Sequence, residues 1–449
     1  MRTTLAVLAA RLTRALLVAG GRGATALPGV VGLAIDPALV TRLSRSLRRG
    51  VACVTGTNGK TTTTRMLSDI VRAAGWTPVH NRSGSNLERG LAAALVSARG
   101  DVGLFELDEA SVPRVLARVA PRVLVVTNLF RDQLDRYFEI DALQKRIGSA
   151  IAALPSGTTL VLNADDPLVA HLGDSHSGKM FFFGVDDPRV GGTTAQAISD
   201  ATRCPRCRSP LRYTRVVLAH IGDWRCPSCG FARPARDIAA SEVALGPDGS
   251  TLRVSAITEP VLVPLPGLYN AYNALAALAG ARALDIPLAD AAAALASFKP
   301  AFGRLERVPA EGRTLRLVLV KNPAGFNAAI GALTETGRHP RLLAALSDLD
   351  ADGRDVSWIW DADFETLAQA TTHAVVTGLR ARDLALRFKY AGLELTRLEV
   401  VESWRGALER AIALTPVGEE LAVIATYTAM LALRRALAQA GHVAPFWED

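Results

Sequence analysis

The segment Val51-Ala-Cys-Val-Thr-Gly-Thr-Asn-Gly-Lys-Thr-Thr62 constrains this chain more than any other stretch of it. An apolar run enters a glycine-containing loop, and a helix opens at Lys60. A strand that is apolar throughout and feeds a helix belongs to a parallel sheet covered on both faces. The loop also carries chemistry. Backbone N–H groups at a helix start, with the positive end of its dipole, hold phosphate oxygens. Lys60 then reaches β- and γ-phosphate oxygens and Thr61 offers its hydroxyl to Mg²⁺, with Thr57, Asn58, Gly59 and Thr62 completing the loop. The strict phosphate-loop pattern has glycine where this chain has Val54, so the loop is a variant form. The competing reading is a tight turn that binds nothing, which leaves Gly-Lys-Thr-Thr at a strand–helix junction unexplained.

With 449 residues the chain is too long for one ordinary core. Apolar runs at Val51–Val54, Val102–Phe105, Val123–Val126 and Thr159–Leu162, separated by helical stretches, predict a first parallel sheet. Glu242–Leu245 and Thr251–Ser255 around Gly-Pro-Asp-Gly read as a hairpin, and an Ala-rich helix starts near Asn270. Runs at Leu315–Val320, Leu342–Leu346, Ala374–Thr377, Leu398–Val401 and Leu421–Ala425 predict a second doubly wound sheet. The expected units are an N-terminal helical segment (1–45), a central ATP-binding unit (46–300) and a C-terminal Rossmann-like unit (301–449), hinged at Ala301-Phe-Gly303.

The net charge of +8 suits an anionic membrane face, a phosphate-rich ligand or nucleic acid. With 6% aromatic residues and no aromatic-plus-basic run, nucleic acid has little support beyond Arg203, Arg206, Arg208 and Arg212. The first 20 residues resemble a signal peptide only superficially, because Arg11 and Arg14 interrupt the apolar run. As a helix they place Leu5, Leu8, Leu12 and Leu16 on one face. A helix packed on the body and a peripheral membrane helix are the two readings.

Of the five cysteines, Cys204-Pro-Arg-Cys207 and Cys226-Pro-Ser-Cys229 form two pairs eighteen residues apart. That is ribbon spacing for a closed, structural Zn²⁺ site of four thiolates, inserted at about 200–235. Neither pair opens a βαβ helix, which disfavours redox pairs. Without a disulfide framework, a reducing, cytoplasmic compartment is expected.

The variant loop Thr55-Gly-Thr-Asn-Gly-Lys-Thr resembles that of the Mur ligase and folylpolyglutamate synthetase superfamily, and further matches follow in order. They are Phe105-Glu106-Leu-Asp-Glu109; Thr127-Asn128 with Asp132-Gln133-Leu-Asp135; and Asn163-Ala-Asp165-Asp166-Pro167. Then come Gly267-Leu-Tyr-Asn270-Ala-Tyr-Asn273 and Phe302-Gly303-Arg304. The resemblance implies that Glu106 or Glu109 ligates Mg²⁺, that Asn270 faces the adenine of ATP, and that Arg304 approaches the phosphates. Gln133 stands where that superfamily usually has histidine. The four-cysteine insertion, Lys321-Asn322-Pro323-Ala-Gly325-Phe-Asn327 and the acidic run Asp348-Leu-Asp350-Ala-Asp352-Gly-Arg-Asp355-Val-Ser-Trp-Ile-Trp360-Asp361 narrow the resemblance to the MurT family.

That family implies a Mur ligase-like α/β fold, with a central phosphate-loop ATPase unit carrying an inserted zinc ribbon. It also implies the synthetase subunit of lipid II isoglutaminyl synthase. Such a subunit phosphorylates the α-carboxyl of D-Glu in the lipid II stem peptide with ATP, and ammonia attacks to leave D-isoglutamine. Glutamine hydrolysis ordinarily needs a thiolate nucleophile. Four cysteines are assigned to metal and Cys53 lies in a buried strand, so this chain lacks a plausible glutaminase of its own, and the resemblance implies that ammonia comes from a separate GatD-type glutaminase. By resemblance Asp352 or Asp355 orients the partner's catalytic histidine, the sequence not separating them, and Asp348 is a candidate for the ribose. The alternative is a Mur-like ligase that joins an amino acid or peptide without a glutaminase.

Overall fold

Strands apolar at every position need cover on both faces, and this chain supplies that cover twice. The computed structural model describes residues 1–20, 26–81, 86–131, 140–193, 200–299, 304–334 and 340–443. Three helices come first: α1 (Arg2–Ala19), α2 (Leu27–Ile35) and α3 (Leu39–Arg45). There follow β1 (Val51–Thr55), α4 (Lys60–Ala73), β2 (Pro78–His80), α5 (Glu88–Ser97), β3 (Val102–Glu106), α6 (Val112–Val119) and β4 (Val123–Val126). The chain continues through α7 (Ile140–Ala152), β5 (Thr159–Asn163), α8 (Pro167–Leu172) and β6 (Met180–Val185). A small hairpin, β7 (Arg212–Leu218) and β8 (Ile221–Arg225), precedes β9 (Ile238–Leu245), β10 (Ser250–Val254) and β11 (Val261–Val263).

Among the described residues these strands, apart from β7 and β8, make a nine-stranded sheet ordered β11-β10-β9-β6-β5-β4-β1-β3-β2. Its members from β9 to β2 run parallel, and β10 and β11 add an antiparallel edge. Alternation along β1 shows how both faces fill. Ala52 and Val54 face Met66, Leu67 and Ile70 of α4, together with α9 (Leu268–Ala283) and α10 (Leu288–Leu295). Val51 and Cys53 face the other way, onto α5, α6 and α7. The Ala-rich composition of α9 lets it lie close on the sheet, where residues 274–279 are all buried.

The second sheet uses β12 (Arg304–Ala310), β13 (Arg313–Leu319), β14 (Arg341–Ala345), β15 (His373–Thr377), β16 (Leu398–Val400) and β17 (Glu420–Ala425). Their order is β12-β13-β17-β14-β15-β16, parallel except for β12. On one face lie α11 (Pro323–Thr334), α12 (Phe364–Ala370) and α13 (Ala381–Tyr390). On the other lie α14 (Trp404–Leu414) and α15 (Tyr427–Gln439). Both sheets are therefore doubly wound α/β layers, the expected class. The two are tied by Arg316, buried in β13, which donates to both oxygens of Glu420 at 2.7 and 2.8 Å and to the Pro247 carbonyl at 3.2 Å.

Six strands escape the sequence pattern, β7 and β8 of the four-cysteine insertion among them, and the other four do so for local reasons. β2 and β11 are three residues long, too short to show a period. β6 pairs with β5 although its phenylalanine run shows no alternation. β12 carries three charges and Pro309, which an edge strand tolerates, and its Leu305, Val308 and Ala310 are buried. The expected hinge, Ala301-Phe302-Gly303, lies outside the described residues.

The N-terminal helix packs on the body, but through small residues. Ala6 and Ala10 of α1 are buried against α2 and α5, whereas Leu5, Leu8, Leu12 and Leu16 face outward. Among the described residues no single helix is long and apolar enough to cross a membrane, although α2 and α3, bent by 99°, pass together on length and composition.

Asp165, at the end of β5, is fully buried. It accepts from Tyr272 Oη of α9 at 2.7 Å, from the Val185 amide at 2.8 Å and from Arg233 Nε at 2.7 Å. Removing its charge leaves Arg233, itself nearly buried, with only the partly exposed Asp186 and Asp223 as counter-ions. Asp165→Asn should therefore cost on the order of 3 kcal/mol, seen as a lower midpoint in thermal unfolding. An unchanged midpoint would contradict this account of the core.

Candidate nucleotide site and four-cysteine cluster

Parallel strands open their loops at their C-terminal ends, and ligands collect where the strand order reverses. Here the reversal lies at β1, with β3 and β2 on one side and β4 to β6 on the other. The loop after β1 sits at that point. Gly59 has φ +84°, and a Cβ on it would meet Asn273 Oδ1 at 2.0 Å. Gly56 has φ +127°, and a Cβ there would lie 2.3 Å from Thr127 Oγ1. Both glycines are thus required by close approach as well as by backbone conformation.

Thr57 anchors the loop. Its hydroxyl donates to the Phe130 carbonyl at 3.1 Å and accepts from the Phe130 amide at 2.9 Å. Asn128, after β4, accepts from the Asn58 amide at 2.8 Å through Oδ1 and donates to the Asn58 carbonyl at 3.0 Å. Thr62 is buried in the first turn of α4, whose opening amides have no acceptors within the helix.

Lys60 and Thr61 of the loop each face a glutamate at the end of β3 or just after it. Lys60 Nζ, nearly buried, donates to Glu109 Oε2 at 2.9 Å and to the carbonyls of Gly56 at 2.5 Å and Thr57 at 3.1 Å. Thr61 Oγ1 donates to Glu106 Oε2 at 2.8 Å. The sequence does not separate the two glutamates, but the fold does. Glu109 is the counter-ion of Lys60, and Glu106 shares its oxygen with the hydroxyl of the helix start. A hydroxyl and a carboxylate brought together beside an anion-binding loop form the hard oxygen donor set that suits Mg²⁺.

Asn270 is buried at the start of α9, donating to the Pro266 carbonyl at 2.7 Å and accepting from Asn273 Nδ2 at 3.1 Å. Asn273 Oδ1 accepts from Thr63 Oγ1 at 3.4 Å, so the asparagine pair stands against the phosphate loop. From the second sheet, Asn322 Nδ2 donates to Asn58 Oδ1 at 3.1 Å and so reaches the same loop. Asn128, Asn273 and Asn322 each sit in one of the motif segments, but the motifs assign them no role; their contacts with the phosphate loop do. The backbone of Arg304 starts β12; its side chain, like Asp132, Gln133 and Asp135, lies outside what is described.

The acidic run follows β14 at the C-terminal edge of the second sheet. Asp352 is buried there and accepts from the Thr428 amide at 2.7 Å and from Thr428 Oγ1, which commits it to the start of α15. Burial pushes its carboxyl pKa up, against these hydrogen bonds. Asp355 is exposed and accepts only a local hydrogen bond from the Ser357 amide at 2.8 Å among the contacts seen. Asp348 accepts from Arg380 Nε at 2.8 Å.

Cys204, Cys207, Cys226 and Cys229 come from two matching turns. The Arg208 amide donates to the Cys204 carbonyl at 2.8 Å, and the Gly230 amide to the Cys226 carbonyl at 3.2 Å. Arg208 and Gly230 adopt φ of +66° and +75° at equivalent places. The four sulfurs lie within 4.8 Å of one another, with Cys204–Cys229 and Cys207–Cys226 at 3.6 and 3.5 Å. Tetrahedral thiolate coordination separates sulfurs by about 3.8 Å, so the cluster fits a metal ion. Around it, Arg206 pairs with Asp174 at 2.5 Å and lies 3.9 Å over the Phe231 ring, and Arg208 pairs with Asp141 at 2.6 Å. Cys53 is separate and fully buried, and burial pushes its thiol far up.

The loop geometry makes Gly59→Ala a direct check. The added Cβ has no room beside Asn273, so nucleotide affinity should fall by about tenfold or more, a loss of about 1.4 kcal/mol, in titration calorimetry with ADP. Undiminished binding would mean that the loop does not hold the phosphates.

A family model of the MurT ligase C-terminal matches residues 319–430, and one of the Mur ligase middle domain matches residues 54–204. The lipid II isoglutaminyl synthase (glutamine-hydrolyzing) subunit MurT of Staphylococcus aureus strain COL is 33% identical over 399 residues, 88% of this chain and 89% of that one. The subunit of the same name from Streptococcus pneumoniae strain R6 is 32% identical over 449 residues, 98% and 97% of the two chains. Among solved structures, a pseudomurein peptide ligase type C from Methanothermus fervidus superposes with TM-score 0.66 at 23% identity, covering 89% of this chain and 80% of that one. Mycobacterium tuberculosis folylpolyglutamate synthase complexed with ADP does so with TM-score 0.61 at 18% identity, covering 91% and 93%. The two structures share the fold, and the relatives in sequence go further: this chain belongs to the MurT family of Mur ligase-type proteins.

Proposed function

We propose that this chain is the synthetase subunit of a lipid II isoglutaminyl synthase. With ATP it converts the α-carboxylate of D-Glu in the lipid II stem peptide to an acyl phosphate. Ammonia then attacks the acyl carbon, phosphate leaves, and D-isoglutamine remains. Membership of the MurT family carries this reading, and the contacts Lys60–Glu109 and Thr61–Glu106 at the mouth of the phosphate loop support its phosphoryl-transfer step. Phosphoryl transfer depends chiefly on positioning and charge neutralisation, which is what such a loop supplies.

In this reading Lys60, held ready by Glu109 and two loop carbonyls, exchanges those partners for phosphate oxygens. Thr61 and Glu106 hold Mg²⁺, whose chemistry when bound is to neutralise phosphate charge. Asn270 lies toward the adenine, Arg304 approaches the phosphates from the second sheet, and Asn322 registers the two units across the cleft. The functional units are residues 1–45, 46–300 and 301–449. Zinc fills the four-cysteine cluster in a purely structural role, since four thiolates leave no open position.

Ammonia comes from a GatD-type glutaminase partner. Cys53 is buried and held as a thiol, and the remaining cysteines are gathered in the cluster, which supports a nucleophile on another chain. Of the two aspartates offered to the partner's histidine, Asp355 is the accessible one, while Asp352 caps α15. Exposed Leu349 and Trp360, with Trp360 packed at 5.7 Å on exposed Tyr390, give the surrounding surface an apolar character suited to a partner. The protein works in the cytoplasm at the inner membrane face, where a lipid-linked substrate is reached.

Lys60→Ala should cut amidation of lipid II by about 10³-fold or more with either glutamine or ammonium. Asp355→Asn should reduce only the glutamine-driven reaction, by a comparable factor, and keep the ammonium-driven one. Mass spectrometry of lipid II with both nitrogen sources reads this directly; equal loss under both conditions would return Asp355 to the synthetase chemistry. Elemental analysis should find one zinc per chain, lost with a lowered thermal midpoint in Cys226→Ser. Metal-free wild-type protein of unchanged stability would rule out the structural zinc.

A further inference from the structure

Helix α1 has two apolar faces and the body of the protein covers one of them. Ala6 and Ala10 are fully buried, while Leu5, Leu8, Leu12 and Leu16 are 60, 59, 62 and 67% exposed. Spaced by three and four residues, these leucines form a single stripe along the helix. On the adjoining α2, Leu27 and Val30 are 50 and 44% exposed. One exposed leucine needs no explanation, but a continuous stripe marks a surface that something covers.

The charge around the stripe points to the occupant. Residues 1–35 contain Arg2, Arg11, Arg14 and Arg22 and no aspartate or glutamate. At about 100° per residue, Arg2 and Arg11 lie on opposite margins of the stripe. Both are exposed, as is Arg14, and Arg2 and Arg11 are steadied by the carbonyls of Ile35 at 2.6 Å and Val96 at 2.8 Å. The first acidic residue, Asp36, is buried and paired with Arg42. A leucine stripe with a basic margin and no acid is the pattern of a helix lying in a membrane interface. The helix also rests on a folded body through Ala6 and Ala10, so it needs no ordering on arrival.

We infer that the Leu5-Leu8-Leu12-Leu16 face of α1, with its arginines, docks this protein on an anionic phospholipid surface. The charge pattern stands without any function, but the choice of lipid over protein as occupant also rests on the proposed lipid-linked substrate. Docking by a rigid helix would hold the phosphate-loop unit at the bilayer, confining its search for a lipid-anchored carboxylate to two dimensions.

The test is co-sedimentation of the full chain with vesicles of phosphatidylcholine alone and of phosphatidylcholine with phosphatidylglycerol. The wild type should bind the anionic vesicles, and less so as salt rises. Leu8→Gln/Leu12→Gln removes apolar side chains from an exposed face and should lower binding at least about tenfold; Arg11→Glu/Arg14→Glu should lower it on anionic vesicles. Circular dichroism checks that the variants fold. No vesicle binding by the wild type, or equal binding by the leucine variant, overturns the proposal. So does a concentration-dependent dimer in light scattering that the leucine variant disperses without any vesicle binding, since a second copy then covers the face. Amidation of detergent-dispersed lipid II with ammonium separates this inference from the enzymatic one: the leucine variant should match the wild type there. A wild type that binds vesicles yet amidates nothing leaves the docking surface standing and removes the ligase reading.

Discussion

A carboxylate with no exposure to water can stay ionised only if its lone pairs are all engaged, and Asp165 meets that condition by gathering three other segments at the end of β5. Tyr272 brings α9, Val185 brings β6, and Arg233 brings the segment that follows the four-cysteine cluster. Burial pushes the Asp165 pKa up against these partners, so losing any of them would favour the neutral acid. The neighbouring Asp166 caps α8 and accepts from the Leu129 amide at 2.9 Å, which sets the loop after β4. That loop carries Asn128 and Phe130, which with Thr127 hold the phosphate loop. The loop that holds the phosphate loop is therefore fixed by the residue next to a buried ion pair, two strands away.

The site itself carries a second buried ion pair. Lys60 and Glu109 face each other at low exposure, with loop carbonyls completing the lysine's shell. The cysteine cluster shares no hydrogen bond with that loop among the described contacts. It is joined to the sheet through Trp224, whose Nε1 donates to the Ala164 carbonyl at 3.1 Å, and through Arg215 and Arg233, which donate to the Val185 carbonyl of β6 at 2.9 and 2.8 Å. The insertion thus bears on the same Asp165 segment as the nucleotide site.

Legibility in the sequence followed periodicity and spacing. Strands such as Val51–Thr55 and Glu420–Ala425 announce themselves because both their faces are buried, and the two cysteine pairs because thiolate ligation demands close spacing. β2, β11 and β12 did not, being too short or, at a sheet edge, too polar. The leucines of α1 misdirect for a related reason. A helix with two apolar faces shows its bulkier face in the pattern, and here the body takes the smaller one, since Ala6 and Ala10 allow close approach to Gly32 of α2.

What the sequence determined by itself is therefore the set of chemical groups and their local frames: a phosphate loop, two glutamates behind a strand, four clustered thiols and an acidic run. Which group meets which was decided only by tertiary structure. Glu106 and Glu109 are three residues apart on one connection, and Asp352 and Asp355 three apart on another. Neither composition nor spacing distinguishes the members of either pair. The register of β3 against β1 sends Glu106 to Thr61 and leaves Glu109 to Lys60. The start of α15, distant in sequence, captures Asp352 and leaves Asp355 in solvent. Partners brought from distant segments set the environment of a carboxylate, and local sequence carries no record of them.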